Sequence, residues 1–308
     1  MKKSIFWFLV GIVLFLFSFE IFSHKEVYLT RWDPEYWEKR YEKSQWAKGW
    51  EVEEKMGDAE LYAYAGWRQV KGEDPTKINP EVPPFGKYLI GLSILFFGNP
   101  YIQALIFGLL FLLVIFLWGK RILKKELLAL IPVFLLALDP LFKENLSTSM
   151  LDLPFSLFIS LAFLFLAKGR ENHWFYLLAM IFLGAVAATK FYLVGFALVL
   201  VFLIYLLFLW LRFRFKDVFW FLGFLPVFVV FYFGNYIVYF LSGHNILDFK
   251  YLHFIFAIFD IFLLNYNKEK YIKEVKLEGD IEDKEHPKKT LAKEKLAKYK
   301  ESVSLVSF

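Results

Sequence analysis

Seven apolar runs constrain this chain more than any other feature of its sequence. Each run holds 16 to 24 residues, and a bilayer core about 30 Å thick needs roughly 20 apolar helical residues to cross it. The runs cover residues 4–22, 101–118, 127–142, 150–167, 174–189, 191–211 and 218–241. They predict an all-α polytopic membrane protein. A mean hydropathy of +0.46 and a hydrophobic fraction of 58% exclude a water-soluble globule.

An eighth apolar run, residues 251–264, has only 14 residues and contains His253 and Asp260. It either crosses a thinned bilayer, lies in the interface or forms a re-entrant segment, so seven or eight transmembrane helices are expected. The bundle would occupy residues 101–266 behind a first helix at 1–22. Residues 267–308 are rich in Lys and Glu, which predicts a charged tail that is a solvated helix or disordered.

The positive charges between the runs predict the orientation, because Lys and Arg concentrate on the cytoplasmic side. One side carries Lys2, Lys3, Lys120, Arg121, Lys124, Lys125, Lys168, Arg170, Arg212, Arg214 and Lys216. The short connections of the other side carry Lys143, Lys190 and Lys250. The first run lacks a small-residue cleavage site, so it is interpreted as a helix rather than a signal peptide. We expect a multi-pass plasma-membrane protein with a cytoplasmic N-terminus and residues 23–87 outside.

The composition and the motifs of the chain argue against several functional classes. The chain has no cysteine, which excludes disulfides, thiolate metal sites and cysteine nucleophiles. It has no Gly-rich phosphate loop and no spaced His cluster, so nucleotide and zinc chemistry are not indicated. The net charge of +5 is explained by topology, and no nucleic-acid partner is expected.

The outer loop, residues 23–100, is far longer than a connection requires, and loops of this length are usually functional or disordered. Its first part repeats aromatic residues near helical spacing, which predicts an amphipathic interfacial helix with an aromatic face and Asp33-Pro34 at its start. These aromatic residues are Trp32, Tyr36, Trp37, Tyr41, Trp46 and Trp50. A second helix is predicted from Asp58, as N-cap, to Lys71. Residues 88–97 are too short to span and predict an interfacial helix, which Pro83 and Pro84 precede in an extended entry.

Five segments follow one another in a characteristic order. They read Asp-Ala-Glu-Leu-Tyr-Ala at 58–63, Pro-Pro-Phe-Gly-Lys-Tyr-Leu-Ile-Gly at 83–91, Asp-Pro-Leu-Phe at 139–142, Met-Leu-Asp-Leu-Pro at 150–154 and Gly-Ala-Val-Ala-Ala-Thr-Lys at 184–190. Residues 1–245 thereby resemble the type C glycosyltransferases that use polyprenyl-phosphate sugars, similar to protein O-mannosyltransferases and aminoarabinose transferases.

The chain departs from the pattern of these relatives at four places. Ala59 stands where they commonly have Glu, Val82 where they have His or Lys, and Ser147 where they often have Arg. A polar tail also replaces further spans or an outer domain. These departures raise the alternative of a shortened or inactive member.

The resemblance implies transfer of a sugar from a polyprenyl-phosphate carrier to a hydroxyl acceptor on a lipid, glycan or protein, with inversion. Asp58 resembles the catalytic carboxylate that takes the acceptor proton, and Glu60 is a second candidate. The alternative for Asp58 is an N-cap without chemistry, and for Glu60 a solvated side chain. Tyr62, Pro83 and Pro84 are expected to support the same site.

Lys87 and Lys190 are predicted at the outer face, where either could hold the carrier phosphate as a point charge. The alternative for both is a lysine that snorkels at a helix end, although a lone Lys190 between two apolar runs also suggests a partner. Arg68 serves the same anion or pairs with Glu73, and the pairing is favoured.

Asp139 and Asp152 are predicted at the outer ends of two spans, where acidic residues are costly and hence suspected of function. They are caps or polar helix ends, or they bind a divalent ion together with Asp58. Asp152 is preferred as a supporting group, and no cofactor is required. His244 and His253 are interpreted as interface residues.

A function of another class stays open, namely a non-catalytic scaffold or transporter subunit derived from the same fold. A transporter is expected to show paired repeats or charges in the middle of its spans. The charges of this chain lie near the outer ends, so the sequence favours the enzyme.

Overall fold

The computed structural model describes residues 2–49, 54–210 and 215–249, and the chain divides into two compact units, Met1–His244 and Asn245–Phe308. The secondary structure of the described residues is helical apart from an isolated bridge between Ser44 and Glu54, which confirms the all-α prediction for them. The eighth run, residues 251–264, and the tail, residues 267–308, lie outside the described residues.

The first unit contains the helices whose bounds position the site. They are α1 (Lys2–Ser23), α2 (Lys25–Leu29), α3 (Pro34–Glu42), α4 (Gln45–Lys48), α5 (Asp58–Val70), α6 (Pro84–Phe97), α7 (Ile102–Leu123), α8 (Glu126–Leu138), α9 (Pro140–Leu146), α10 (Asp152–Gly169), α11 (Trp174–Thr189), α12 (Tyr192–Trp210), α13 (Phe215–Gly223), α14 (Leu225–Gly234) and α15 (Ile237–Leu241). In the described part of the second unit, Asn245 Oδ1 accepts the backbone N–H groups of Leu247 and Asp248.

Four stretches of the described chain are long and apolar enough to cross a bilayer, namely Lys3–Ser23, Ile102–Leu123, Asp152–Gly169 and Phe215–Gly234. The shorter apolar helices are Pro84–Phe97, Glu126–Leu138, Trp174–Thr189 and Tyr192–Phe208. The protein is thus an all-α multi-pass membrane protein. Each of the seven predicted runs contains at least one helix, while the number of crossings stays a prediction.

One predicted span is divided by a proline. The run at 127–142 was expected to be continuous, but α8 ends at Leu138 and α9 begins at Pro140. Pro140 has no backbone N–H and disfavours a helical conformation of the residue before it. Asp139 instead restarts the helix as an N-cap, because its Oδ1 accepts the backbone N–H of Phe142 at 2.8 Å.

The start of α3 confirms the predicted cap, since Asp33 Oδ1 accepts the backbone N–H groups of Glu35 and Tyr36. The aromatic face differs from the prediction of a surface that faces the membrane. Trp32, Trp37 and Tyr41 pack against a buried cluster formed by Met56, Leu61, Tyr64, Ala65 and Ile78. Three of the predicted face residues thus pack inside the outer loop, and Trp50 lies outside the described residues.

The N-terminus of α5 also corrects a prediction. Gly57 is the N-cap and Asp58 is the first helical residue. Glu60 supplies the capping carboxylate, because its Oε2 accepts the backbone N–H of Gly57 at 3.1 Å. The Asp58 side chain is left exposed in the first turn.

Helices α5 and α6 lie in close contact through two glycines. A Cβ on Gly66 would lie 2.2 Å from the carbonyl oxygen of Lys87, and a Cβ on Gly91 would lie 2.2 Å from that of Gly66. Only glycine allows the two backbones to approach this closely. The buried Asn99 side chain, which follows α6, donates to the carbonyl oxygens of Val27, Tyr28 and Thr30. The end of the outer loop is thus attached to its own beginning.

Candidate functional site

Three of the predicted motif segments meet at Gly86, in the first turn of α6. A Cβ at this position would lie 2.8 Å from Leu151 Cδ2 and 2.9 Å from Thr189 Cγ2. Leu151 directly precedes α10 and Thr189 ends α11. The paired-proline segment, the Leu-Asp segment and the Thr-Lys segment therefore form one end of the helix bundle.

An ion pair joins two of the predicted residues at this end. Lys190 Nζ lies 2.7 Å from Asp152 Oδ1, with 17% of the lysine side chain and 41% of the aspartate side chain exposed. Asp152 is the first residue of α10 and Lys190 directly follows α11. Lys190 Nζ also lies 5.4 Å from the centroid of the Phe191 ring. The partner that the sequence suggested for Lys190 is therefore Asp152.

The start of α5 is fastened to the same end of the bundle. Ser149 Oγ donates to the carbonyl oxygen of Ala59 at 2.6 Å, and one turn further the buried Tyr62 packs in a cluster with Leu151 and Ile90. Ser149 had no role in the sequence-based prediction. Its position next to the Leu-Asp segment is the signal that could have indicated one.

The Tyr62 phenol is influenced by the charges of three carboxylates. Burial raises its pKa, and the negative charges of Asp58, Glu81 and Asp152 raise this pKa further. Asp58 and Asp152 are 94 positions apart in the chain, yet both act on this one side chain. Among the described residues Asp58 accepts no hydrogen bond and forms no ion pair, so its carboxylate is available to solvent or a ligand.

Glu60, the second predicted base, is held by α3. Arg40 Nη2 lies 2.9 Å from Glu60 Oε1 and 3.0 Å from Glu60 Oε2. The same carboxylate also caps α5, so both of its oxygens have structural partners. Sequence reasoning missed Arg40, which lies one turn after Tyr36 on the same face of α3. Its Nη1 donates a hydrogen bond to Tyr36 OH at 3.1 Å.

Lys87 is fully buried, which differs from the exposed position expected for a phosphate ligand. Its Nζ donates to the carbonyl oxygens of Asn79 at 2.6 Å and Val82 at 2.7 Å. Burial lowers the pKa of Lys87 to about 7, against the opposing effect of Glu81. This geometry favours a structural role, since the ammonium group fixes the loop that leads into its own helix.

Arg68 forms the favoured pair with Glu73, with Nε 2.6 Å from Oε2. Its Nη1 also lies 2.9 Å from Glu38 Oε1 and 3.1 Å from Tyr64 OH. The pairing with Glu73 is thereby confirmed. Two carboxylates already neutralise this guanidinium, which weakens the case for Arg68 as a ligand of the carrier phosphate.

The paired prolines precede residues 88–97 as predicted, but the helix already begins at Pro84, so only Pro83 forms the extended entry. Pro83 is extended, with φ −56° and ψ 152°, and is the N-cap, while Pro84 is the first helical residue. Both are buried. They set the direction in which α6 leaves the loop and thereby the position of Gly86.

The geometry gives no support to a divalent ion between Asp58, Asp139 and Asp152. Within residues 2–49, 54–210 and 215–249, no three His, Asp or Glu side chains lie close enough together to hold a metal ion. The Asp139 carboxylate caps α9. His244 Nε2 lies 3.4 Å from Asp74 Oδ2, and His253 lies outside the described residues.

One of the comparisons with known proteins gives a match. A model of the family described as dolichyl-phosphate-mannose-protein mannosyltransferase matches residues 81–234, which is half of the 308-residue chain. The match contains the paired prolines, Asp152 and Lys190, and begins after Asp58. Together with the multi-pass helical fold, it places the chain among the type C glycosyltransferases. The chain belongs to the dolichyl-phosphate-mannose-protein mannosyltransferase family. Searches of curated proteins and of solved structures found no match.

Proposed function

We propose that this protein transfers a sugar from a polyprenyl-phosphate carrier to a hydroxyl group of a lipid, glycan or protein at the outer face of the plasma membrane. One observation carries the proposal. The unpaired carboxylate of Asp58 and the Lys190–Asp152 pair share one end of the bundle, where Ser149 holds the start of α5 through the carbonyl oxygen of Ala59. Family membership supports the same reaction class.

The reaction needs a base, and Asp58 is the candidate that the geometry favours over Glu60. The acceptor oxygen attacks the anomeric carbon of the sugar while its proton passes to the Asp58 carboxylate. The bond between the anomeric carbon and the phosphate oxygen breaks, and both of its electrons leave with that oxygen. The products are the glycosylated acceptor and the polyprenyl phosphate, and a single displacement inverts the anomeric centre.

The leaving phosphate gains negative charge, and Lys190 is the cation proposed to stabilise it. A partly buried ammonium group stabilises developing charge more than a solvated one does. The other candidate cations are less suitable, because Lys87 is buried against backbone carbonyls and Arg68 is neutralised by two carboxylates. Asp152 holds Lys190 in place until the phosphate arrives.

Helix α6 supports an arrangement in which the carrier stays in the membrane while its phosphate reaches the site. The helix begins at the site with Pro84 and ends with an apolar surface, where Leu95, Phe96 and Phe97 are 49%, 73% and 57% exposed. Such an exposed apolar surface fits an interfacial helix that contacts lipid. The prenyl chain would lie against this region.

The decisive experiment compares the purified parent protein with Asp58→Asn in nanodiscs. Both are given a panel of polyprenyl-phosphate sugars together with membrane extract as the source of acceptors, and release of polyprenyl phosphate is followed. We expect the parent to release the carrier and Asp58→Asn to lose about 100-fold or more in rate, as for removal of a general base. Glu60→Gln serves as the comparison, because Glu60 is the other carboxylate in the same turn.

Each outcome assigns a role. A loss of about 100-fold in Asp58→Asn with a loss of only about tenfold in Glu60→Gln, which breaks the ion pair to Arg40, supports both the transferase and its base. Loss of turnover only in Glu60→Gln would assign the base to Glu60 instead of Asp58. If the parent binds a donor but transfers nothing to any acceptor, the transferase proposal is overturned in favour of a binding-only member of the family.

A further inference from the structure

A polar cavity of about 430 Å³ lies at the other end of α10 from the candidate active site. Its walls come from the turn between α10 and α11 and from the start of α13, and they include Arg170, Asn172, His173, Lys216 and Trp220. Helix α10 has 18 residues, which corresponds to about 27 Å of helix. A ligand in this cavity is therefore distinct from the sugar donor at Asp152.

The charge of the cavity is positive once its ion pairs are taken into account. Glu171 is paired with Arg121, whose Nη1 lies 2.7 Å from Glu171 Oε1. Asp217 is buried and has a contact of its own. Arg170 and Lys216 are exposed, and neither forms an ion pair within the described residues. The lining thus holds two exposed cations, Arg170 and Lys216, against one buried carboxylate, Asp217.

Two stacked aromatic rings in the wall of the cavity indicate the level of the membrane at which it lies. The rings of His173 and Trp220 stack with centroids 4.1 Å apart and an interplanar angle of 20°. Amphipathic aromatic rings of this kind prefer the level of the lipid headgroups. The cavity ends of α10 and α7 also carry Lys168, Lys120 and Arg121, so this is the face that the distribution of positive charge assigns to the cytoplasm.

We propose that this cavity binds a phosphate ester, presented by the headgroup of an anionic phospholipid in the leaflet opposite the active site. Arg170 binds the phosphate through its planar guanidinium, and Lys216 adds a second positive charge. Basic pockets between membrane helices on the cytoplasmic side have this recognition chemistry. The volume accommodates a headgroup, while the acyl chains remain in the bilayer outside the cavity.

The test measures lipid binding to the full-length protein by native mass spectrometry in detergent. Phosphatidylglycerol, phosphatidylcholine and free glycerol 3-phosphate are titrated separately. Arg170→Gln combined with Lys216→Gln removes the two cations of the cavity. Lys124→Gln combined with Lys125→Gln is the matched control, because it removes two exposed cations from the turn between α7 and α8, outside the cavity.

We expect phosphatidylglycerol to bind more tightly than phosphatidylcholine, and the cavity variant to weaken it by about tenfold or more, the loss typical of two charge contacts. The control variant should retain the parent affinity. Equal affinity for the two lipids, or equal weakening in the two variants, would overturn the site. If free glycerol 3-phosphate binds as tightly as phosphatidylglycerol, the ligand of the cavity is a free phosphate ester and not a lipid headgroup.

Folding of each variant is checked by size-exclusion chromatography and thermal unfolding. If the double variant does not fold, Arg170→Gln alone carries the test, since Arg170 is exposed beyond the end of α10. Lipid binding requires no turnover, so this result is independent of the experiment on Asp58.

Discussion

At the scale of single residues, the pairing of Lys190 with Asp152 explains how a lysine is retained between two apolar helices. Removing an ammonium group from water costs several kcal/mol, and the carboxylate at 2.7 Å offsets much of this cost. Asp152 remains 41% exposed. A phosphate that arrives from the solvent side can therefore replace Asp152 as the partner of Lys190 without opening the protein core.

The proposed roles of these two residues predict unequal effects of their removal. Lys190→Gln should lower kcat/KM for the donor by about 100-fold, the loss typical of one donor to a developing anion. Asp152→Asn keeps the cation and should lower kcat/KM by about tenfold or less, because only the orientation of Lys190 is affected. Donor turnover in nanodiscs measures both. Equal losses would show that the intact pair, and not the lysine charge, is what the reaction needs.

Burial of Lys87 changes its pKa and thereby the pH dependence of the free energy of unfolding. The folded protein holds the pKa of Lys87 near 7, compared with an ordinary value of 10.5. Between these two pH values the unfolded chain binds more protons than the folded chain. The contribution of Lys87 to the free energy of unfolding therefore rises with pH in this window and is constant below it.

This linkage predicts a pH-dependent difference between the parent and Lys87→Met. The apparent Tm of the parent, relative to that of the variant, should rise as the pH is increased from 7 to about 10. Thermal unfolding in detergent at several pH values measures the difference. A constant difference across this range would mean that Lys87 keeps an ordinary pKa and is more accessible than the structure describes.

At the scale of helices, α3 acts as a clamp on the first turn of α5. Arg40 on α3 binds both oxygens of Glu60, and Glu60 caps the turn that carries Asp58. Trp37 lies under the guanidinium, with its ring centroid 5.6 Å from Arg40 Cζ. The outer-loop helix thus positions the proposed base without contacting the reacting atoms.

The clamp predicts that Arg40→Gln affects activity more than stability. A partly exposed ion pair contributes only about 1 kcal/mol or less to folding, so the Tm should change little. The rate should fall by about tenfold or more, because displacement of a positioned group is costly for catalysis. Lys39→Gln, at an exposed neighbouring position, is the control. If the rate falls only where the Tm also falls, in both variants, Arg40 stabilises the fold and does not position the base.

At the scale of the whole molecule, the two ends of the bundle differ in chemistry. The Asp152–Lys190 end carries acidic groups and the outer loop, whereas the opposite end of α10 carries Lys168 and Arg170. The positive-inside rule assigns the basic end to the cytoplasm. The proposed active site is then directed to the outer face, where lipid-linked donors and external acceptors meet.

This orientation is directly testable because the chain contains no cysteine. A single cysteine at Glu35 in α3 should react with a membrane-impermeant maleimide on intact cells. A single cysteine at Lys125, before α8, should react only after the cells are permeabilised. Both positions are exposed. The reverse pattern would place the site in the cytoplasm and exclude an outer-face acceptor.

The sequence predicted the helices better than their ends and contacts. Periodicity and turn residues indicated helices at α3 and α5, since these depend on local chemistry. The aromatic repeat predicted a single helix as far as Trp46, whereas α3 ends at Glu42 and α4 begins at Gln45. An acidic N-cap is common, which favours Asp58 at that position, whereas in the structure Gly57 is the N-cap and the Glu60 carboxylate accepts its N–H. The burial of Lys87 could not be predicted, because it depends on the path of residues 79–82 around its side chain.

The sequence by itself determined the membrane class, the helical fold of the described residues and the residue types available for chemistry. These follow from apolar length, local propensity and charge, which are properties of the chain alone. Only the tertiary structure decided which charges remain available to a ligand. The second carboxylate on Arg68, that of Glu38, and the ion pair of Asp152 with Lys190 arise from contacts between segments distant in sequence, and the burial of Lys87 depends on how its helix packs. Such contacts depend on how helices pack, and no periodicity within a single segment encodes them.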